Sequence, residues 1–233
     1  MIHDVIYRRA FRRHYENVIA DAKHVIVEAL EIFGYPAAVS ISGGKDSVAM
    51  AHLVSLYCSP ILIWNDSGLE MPESREVVER TAKMLGLRLE IANGNALEQE
   101  LQGGCTDEDC IKKPVREALA RIGARVDFVG LRADESHRRK MVINKYGPVF
   151  FSKTWRCGKA WPMRKWKAED SLAYLDDYSL PVHPAYRDSV WGKRENVRTS
   201  WAFDADRIPC GESEIVRRKY PELFRKLRKA GRC

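Results

Sequence analysis

Between positions 3 and 33 apolar residues recur at spacings of three and four. Phe11, Tyr15, Val18, Ile19, Ala22, Ile26, Ala29, Leu30 and Phe33 keep to one face. This predicts a single long helix, stopped by Gly34 and Pro36. The pattern then changes. Ala37–Ile41 is a short apolar run of strand type, followed by the polar stretch Ser42–Ser47 and a helical pattern over 48–57. Pro60–Trp64 reads as a second buried strand and ends in Asn65-Asp66-Ser67-Gly68. Val77, Val78, Ala82 and Leu85 mark a helix over 73–85, closed by Gly86. A third strand is expected over 87–91, a helix over about 111–122, and a fourth strand over 126–130.

Strands alternating with helices predict βαβ units. The expected class is α/β and Rossmann-like, a parallel sheet sandwiched by helices. In such sheets ligands sit at the carboxyl ends of the strands. Three polar segments, 42–47, 65–70 and 130–139, fall at such ends. Beyond residue 150 the pattern is irregular and rich in Trp, Pro and basic residues, with a short helix over 168–178 and a basic one over 212–229. This is an irregular, helical C-terminal elaboration. No linker composition interrupts the chain, so 1–233 is expected to form one domain. Within it lie an N-terminal helix (1–33), a core (37–190) and a basic tail (207–233).

With 233 residues, 45% of them hydrophobic, the chain can fill a core, which excludes a disordered protein. Its longest apolar runs are about eight residues, against the roughly 20 that span a bilayer. Met1-Ile2-His3-Asp4 begins no apolar signal core. A cytoplasmic location without a membrane partner is expected. Six scattered cysteines in a chain of this size fit a reducing compartment. The net charge of +7 is unevenly spread: residues 207–233 hold nine Lys/Arg against three Glu, so the tail carries +6. That tail is either a solvated amphipathic helix or a contact for nucleic acid.

Ser42-Gly43-Gly44-Lys45-Asp46-Ser47 joins a strand to a helix. Two glycines let the backbone turn tightly and bring its N–H groups to an anion. The helix N-terminus adds its positive end at the same point. Lys45 adds a mobile charge, and Ser42 and Ser47 add hydroxyls. Asp46 suits a phosphate site when Mg²⁺ lies between carboxylate and phosphate.

This hexapeptide resembles the PP-loop of the ATP-pyrophosphatase class, the adenine-nucleotide alpha-hydrolase-like fold. Asn65–Ser74 resembles the Asp-Thr-Gly, Phe-Pro-Glu-Thr segment of phosphoadenylyl-sulfate (PAPS) reductases. Gly130-Leu131-Arg132-Ala133-Asp134-Glu135-Ser136 with Arg139 resembles their Gly-Leu-Arg, Glu-Ser-x-x-Arg segment. Trp161–Trp166 and His183-Pro184-Ala185-Tyr186 resemble their later motifs, so the likeness runs in order over roughly 37–190. The resemblance implies an enzyme that binds ATP or a PAPS-type adenine nucleotide. It implies phosphate binding by Ser42, Gly43, Gly44, Lys45, Asp46 and Ser47. Ser40, Asp66, Gly130, Glu135 and Ser136 would complete the pocket. Arg132 and Arg139 would neutralise charge on the leaving group, the task for which arginine forks are suited.

The chain departs from the reductases in lacking their C-terminal Glu-Cys-Gly-x-His motif. Cys210, followed by Gly211, and the terminal Cys233 are the remaining nucleophile candidates. The Lys45-Asp46 pair is that of enzymes splitting ATP between its α and β phosphates. The leading expectation is therefore ATP-driven activation of an acceptor, with Mg²⁺, in sulfur transfer or a related modification. The alternatives are a thiol-dependent PAPS or adenylyl-sulfate reductase served by a thioredoxin-like reductant, and a nucleic-acid-binding accessory protein with a vestigial pocket. The segment around Cys105, Cys110 and Lys112-Lys113-Pro114 resembles the cluster-ligand stretch of iron–sulfur members. Cys105, Cys110, Cys157 and Cys210 are then either a four-thiolate site, for iron–sulfur before zinc, or plain thiols.

Overall fold

The computed structural model describes residues 2–68, 70–101, 108–187, 197, 199 and 217–229. Helices α1 (Ile2–Ala10) and α2 (Arg12–Phe33) precede β1 (Ala37–Ser40) and α3 (Lys45–Ser55). Next come β2 (Ile61–Asp66), α4 (Glu73–Leu85), β3 (Leu89–Asn93), α5 (Ala96–Leu101), α6 (Lys113–Arg121) and β4 (Val126–Val129). The chain continues through α7 (His137–Tyr146), β5 (Val149–Ser152), β6 (Cys157–Ala160), α8 (Ala168–Asp177) and α9 (Pro221–Lys229). The six strands form one sheet in the order β3-β2-β1-β4-β6-β5. Every pairing is parallel except β5 with β6.

The central strands of the sheet are buried on both faces, and the period of two along them shows how. Ala37 and Val39 of β1 and Leu62 and Trp64 of β2 pack into the main core with Ile26, Met50, Phe128, Met163, Trp166 and Tyr174. Ala38 and Ile63, between them, face the opposite side and meet Val115, Ala118 and Leu119 of α6. Trp166 is buried within the core, and its indole N–H donates to the Val18 carbonyl at 3.0 Å. Among the described residues no helix is long and apolar enough to cross a membrane.

Three differences from the sequence pattern have physical causes. The single helix expected over 3–33 is two helices bent at Phe11. Hydrogen bonds still run through the bend, from Phe11 N–H to Tyr7 at 2.8 Å and from Tyr15 N–H to Phe11 at 2.9 Å. The bend lets Tyr7 donate to Asp170 (2.9 Å) and brings Arg8 to Asp177 (2.6 Å), which fastens α1 to α8. The helix expected over 48–57 starts three residues earlier, so Lys45, Asp46 and Ser47 form its first turn. Finally, β5 and β6 lie in the region that reads as irregular. Cys157-Gly158-Lys159-Ala160 has no apolar alternation. Its lysine is buried because Asp127 stands opposite it on β4.

Candidate active site

β1 ends at Ser40, and the chain turns through Gly43 at φ +76, a conformation that glycine alone adopts freely. A Cβ there would also come within 2.9 Å of the Ser74 carbonyl. The turn is held by hydroxyls: Ser42 N–H donates to Ser47 Oγ (3.1 Å), and Ser47 Oγ donates to the Gly44 carbonyl (3.0 Å). α3 is capped by Gly44, which has no side chain to satisfy the first N–H groups. The positive end of the helix dipole therefore faces the loop, the arrangement that receives anions, although the Lys45 N–H is itself taken by the Tyr186 hydroxyl. On the other wall, Gly130 follows β4. A Cβ there would stand 3.1 Å from the Asp46 carbonyl, so a larger residue would press the end of β4 against the first turn of α3.

Lys45 and Arg132 converge on one carboxylate. Lys45 Nζ is 3.3 Å from Asp46 Oδ2 and Arg132 Nε is 2.8 Å from Asp46 Oδ1, while Ser171 of α8 donates to Oδ1 at 2.6 Å. Both cations are only 4% exposed. Arg132 also binds Asp134 (2.6 Å), and its backbone N–H donates to Glu135 (3.1 Å). Burial works against its charge, yet Asp46, Asp134 and Glu135 hold its pKa above the ordinary arginine value. Although close to Asp46, Arg132 Nε lies off the line needed for a hydrogen bond and makes none among the described residues. A buried donor without an acceptor is costly.

The remaining expected residues divide into three groups. Glu135 and Arg139 form an ion pair, and Ser136 caps α7 by accepting the Arg139 N–H at 3.2 Å. These three therefore stand beside Arg132. Asp66 closes β2 and lies 3.7 Å from Arg75, with its carbonyl taken by Gly94 N–H at 3.0 Å. Ser40 is engaged below the loop instead, donating to Asp127 with both carboxylate oxygens at 3.0 Å. Cys105, Cys210 and Cys233 lie outside the described residues.

The expected four-thiolate site is not assembled by its two described members. Cys157 begins β6, level with the start of β4, whereas the Cys110 carbonyl accepts from Asn65 near the carboxyl end of β2. At about 3.3 Å per residue these positions are roughly 20 Å apart along the strand direction. Cys110 is disulfide-bonded, and burial pushes the Cys157 thiol up to about 11, so it stays protonated. No group of three or more His, Cys, Asp or Glu suited to a metal occurs among the described residues.

Two contacts have no local sequence signal. Tyr186 is buried against the loop; its hydroxyl accepts the Lys45 N–H at 2.8 Å and its ring lies 5.4 Å from Lys45 Nζ. Ser171 reaches Asp46 from 125 residues away. The motif His183-Pro184-Ala185-Tyr186 was visible, but its role emerges only here. His183 accepts the Ala185 N–H at 3.1 Å and touches Ser74 Oγ at 3.3 Å, placing Tyr186. A separate cavity of about 430 Å³ opens beside β3, lined in part by Asn93, Gln99, Lys113 and Glu117.

Burial lowers the His183 pKa to about 4. The unfolded chain takes up that proton near pH 6.5 and the folded chain only near 4, so stability falls as pH drops through this window and is flat below it. The expected loss is roughly 3 kcal/mol. Denaturant unfolding from pH 7 to 4 checks it: His183→Asn should lack this part of the slope, and an unchanged slope would assign it to another group.

A strand–loop–helix carrying a complete Ser-Gly-Gly-Lys-Asp-Ser loop at the centre of a mostly parallel sheet defines the PP-loop class of α/β enzymes. Within it, the chain belongs to the family of the phosphoadenosine phosphosulfate reductase domain, whose sequence profile matches residues 36–191. It is 29% identical over 181 residues to the phosphoadenosine 5'-phosphosulfate reductase of Vibrio vulnificus, covering 71% of this chain and 67% of the relative. The fold is shared with a PAPS reductase from Candida auris in its phosphate complex (TM-score 0.56, 15% identity, 75% of this chain and 90% of that one). It is shared also with Candida glabrata FMN adenylyltransferase in complex with ATP (TM-score 0.61, 15% identity, 76% and 60%). Enzymes of both reductase and transferase type are thus built on this scaffold.

Proposed function

We propose that this chain binds ATP with its phosphates at Ser42–Ser47 and splits it between the α and β phosphates to activate an acceptor in sulfur transfer or a related modification. The acceptor attacks the α phosphorus, the bond to the bridging oxygen breaks, and pyrophosphate leaves. One observation carries the reading: two buried cations, Lys45 and Arg132, share one half-buried carboxylate at a helix N-terminus. Buried charge demands partners; Asp46 and Asp134 supply them here, and phosphate oxygens would compete for the same cations. Positioning and charge stabilisation are most of what phosphoryl and adenylyl transfer require. Arg132 would face the charge that develops on the leaving pyrophosphate. Arg139, held by Glu135, stands next in line.

Mg²⁺ fits the donor set. It takes hard oxygens, often one carboxylate with phosphates and waters. Asp46 is the carboxylate that would hold it; Lys45, Arg132 and Ser171 lie around that carboxylate. Bound there, the ion would neutralise phosphate charge. A resident iron–sulfur cluster held by both Cys110 and Cys157 does not fit their positions.

The family match favours a second reading, reduction of PAPS with the sulfonate at the same loop and sulfite as product. Its nucleophile would be Cys210 or Cys233, with a thioredoxin-like reductant. Cys58 and Cys157 are poor candidates, because burial pushes both thiols up to about 11. The deciding experiment incubates the chain with labelled ATP, and separately with PAPS plus thioredoxin. AMP and pyrophosphate support the first reading and sulfite the second. Failure to bind either nucleotide would overturn both.

A further inference from the structure

We propose that the two basic helices on either side of the candidate site form a docking surface for a single-stranded nucleic acid lying across its mouth. The charge distribution is the first ground. α7 carries four Lys/Arg and no acid, and residues 217–229 carry seven Lys/Arg against one Glu. These are +4 and +6, more together than the +7 of the whole chain, so the rest of the molecule is net acidic. Charge concentrated in this way is an electrostatic footprint and not a general solubility device.

Placement is the second ground. α7 begins at the site itself, where Ser136 caps it and Arg139 pairs with Glu135; from there it runs toward the β5 edge of the sheet. α9 lies on the other side. Leu223 and Phe224 pack against the cluster of Met71, Ala96 and Tyr186, and Tyr220 donates to Glu73 at the start of α4. Leu223 and Phe224 are thereby committed to that cluster, which includes Tyr186 of the site. Lys226, Arg228 and Lys229 remain exposed, as do Arg138, Lys140 and Lys145 on α7.

The third ground separates a nucleic acid from a plain polyanion. Tyr146, at the end of α7, is 48% exposed although it is a large aromatic side chain. Its ring stacks on Phe150 with centroids 5.0 Å apart, and Lys145 Nζ lies 5.2 Å from its centroid. An exposed, braced ring beside cations is the arrangement on which an unpaired base stacks while the cations follow the backbone. None of these six cations belongs to the phosphate loop, so the surface stands or falls independently of the ATP reading.

The test measures binding of a labelled single-stranded RNA 20-mer to the full chain, by anisotropy, from 50 to 300 mM salt. Affinity should fall with salt, and each phosphate contact should contribute about 0.7 to the log–log slope. Arg138→Glu/Lys140→Glu/Lys145→Glu should lower the slope by about 2, and so should Lys226→Glu/Arg228→Glu/Lys229→Glu. Tyr146→Ala should weaken binding about five- to hundred-fold with the slope unchanged. All three variants should keep wild-type melting temperature and ATP affinity, which shows that folding and the loop are intact. No binding at 50 mM salt, slopes that do not respond to either set, or polyglutamate binding as tight as RNA would overturn the proposal.

Discussion

Lys45→Ala is expected to weaken nucleotide binding by about 1.5–3 kcal/mol, the scale of a charge-assisted hydrogen bond. In dissociation constant this is roughly ten- to hundred-fold. The effect is large because Lys45 sits in the first turn of α3 with its ammonium nearly buried, 3.3 Å from Asp46. There it would meet the charge of the proposed nucleotide with little water to screen it. The fold should tolerate the change, because Arg132 and Ser171 still hold Asp46. Calorimetric titration with a non-hydrolysable ATP analogue reads the outcome directly. Unchanged affinity for both ATP and PAPS analogues would remove the loop as the phosphate site.

Lys159→Met should cost about 3–5 kcal/mol of stability, the usual consequence of removing one partner of a buried ion pair. Lys159 of β6 stands opposite Asp127 of β4, and its ammonium meets the carboxylate directly. Asp127 is fully buried; without the lysine it keeps the Ser40 hydroxyl as its described partner. Lys159 also lies 4.1 Å from the Trp155 ring centroid, a cation–π contact that the variant loses. For a chain of this length the melting temperature should drop by roughly 6–20 °C. The double variant Asp127→Leu/Lys159→Met should recover most of the loss, since an apolar pair leaves no orphaned charge. A double variant no more stable than the single one would show that packing, and not charge, is responsible.

These two lysines mark the boundary between what the chain pattern reveals and what it conceals. Lys45 is conspicuous because local rules surround it: an apolar run of strand type, two glycines, a hydroxyl on either side and a helical period beyond. Lys159 is inconspicuous because Cys-Gly-Lys-Ala has neither strand alternation nor helix period. Only Asp127, 32 positions earlier, makes its burial possible.

The sequence by itself determined the alternation of strands and helices, the sheet class that follows, and the Ser42–Ser47 loop between a strand and a helix. Each of these is encoded within a few residues, by side-chain period and by the backbone freedom of glycine. Only the tertiary structure decided that Ser40 serves Asp127 beneath the loop, that Tyr186 and Ser171 brace Lys45 and Asp46, and that Cys110 and Cys157 lie near opposite ends of the sheet. Those facts depend on register between strands and on contacts across more than a hundred residues. A local pattern specifies which face of an element is buried, but not which distant side chain will meet it there.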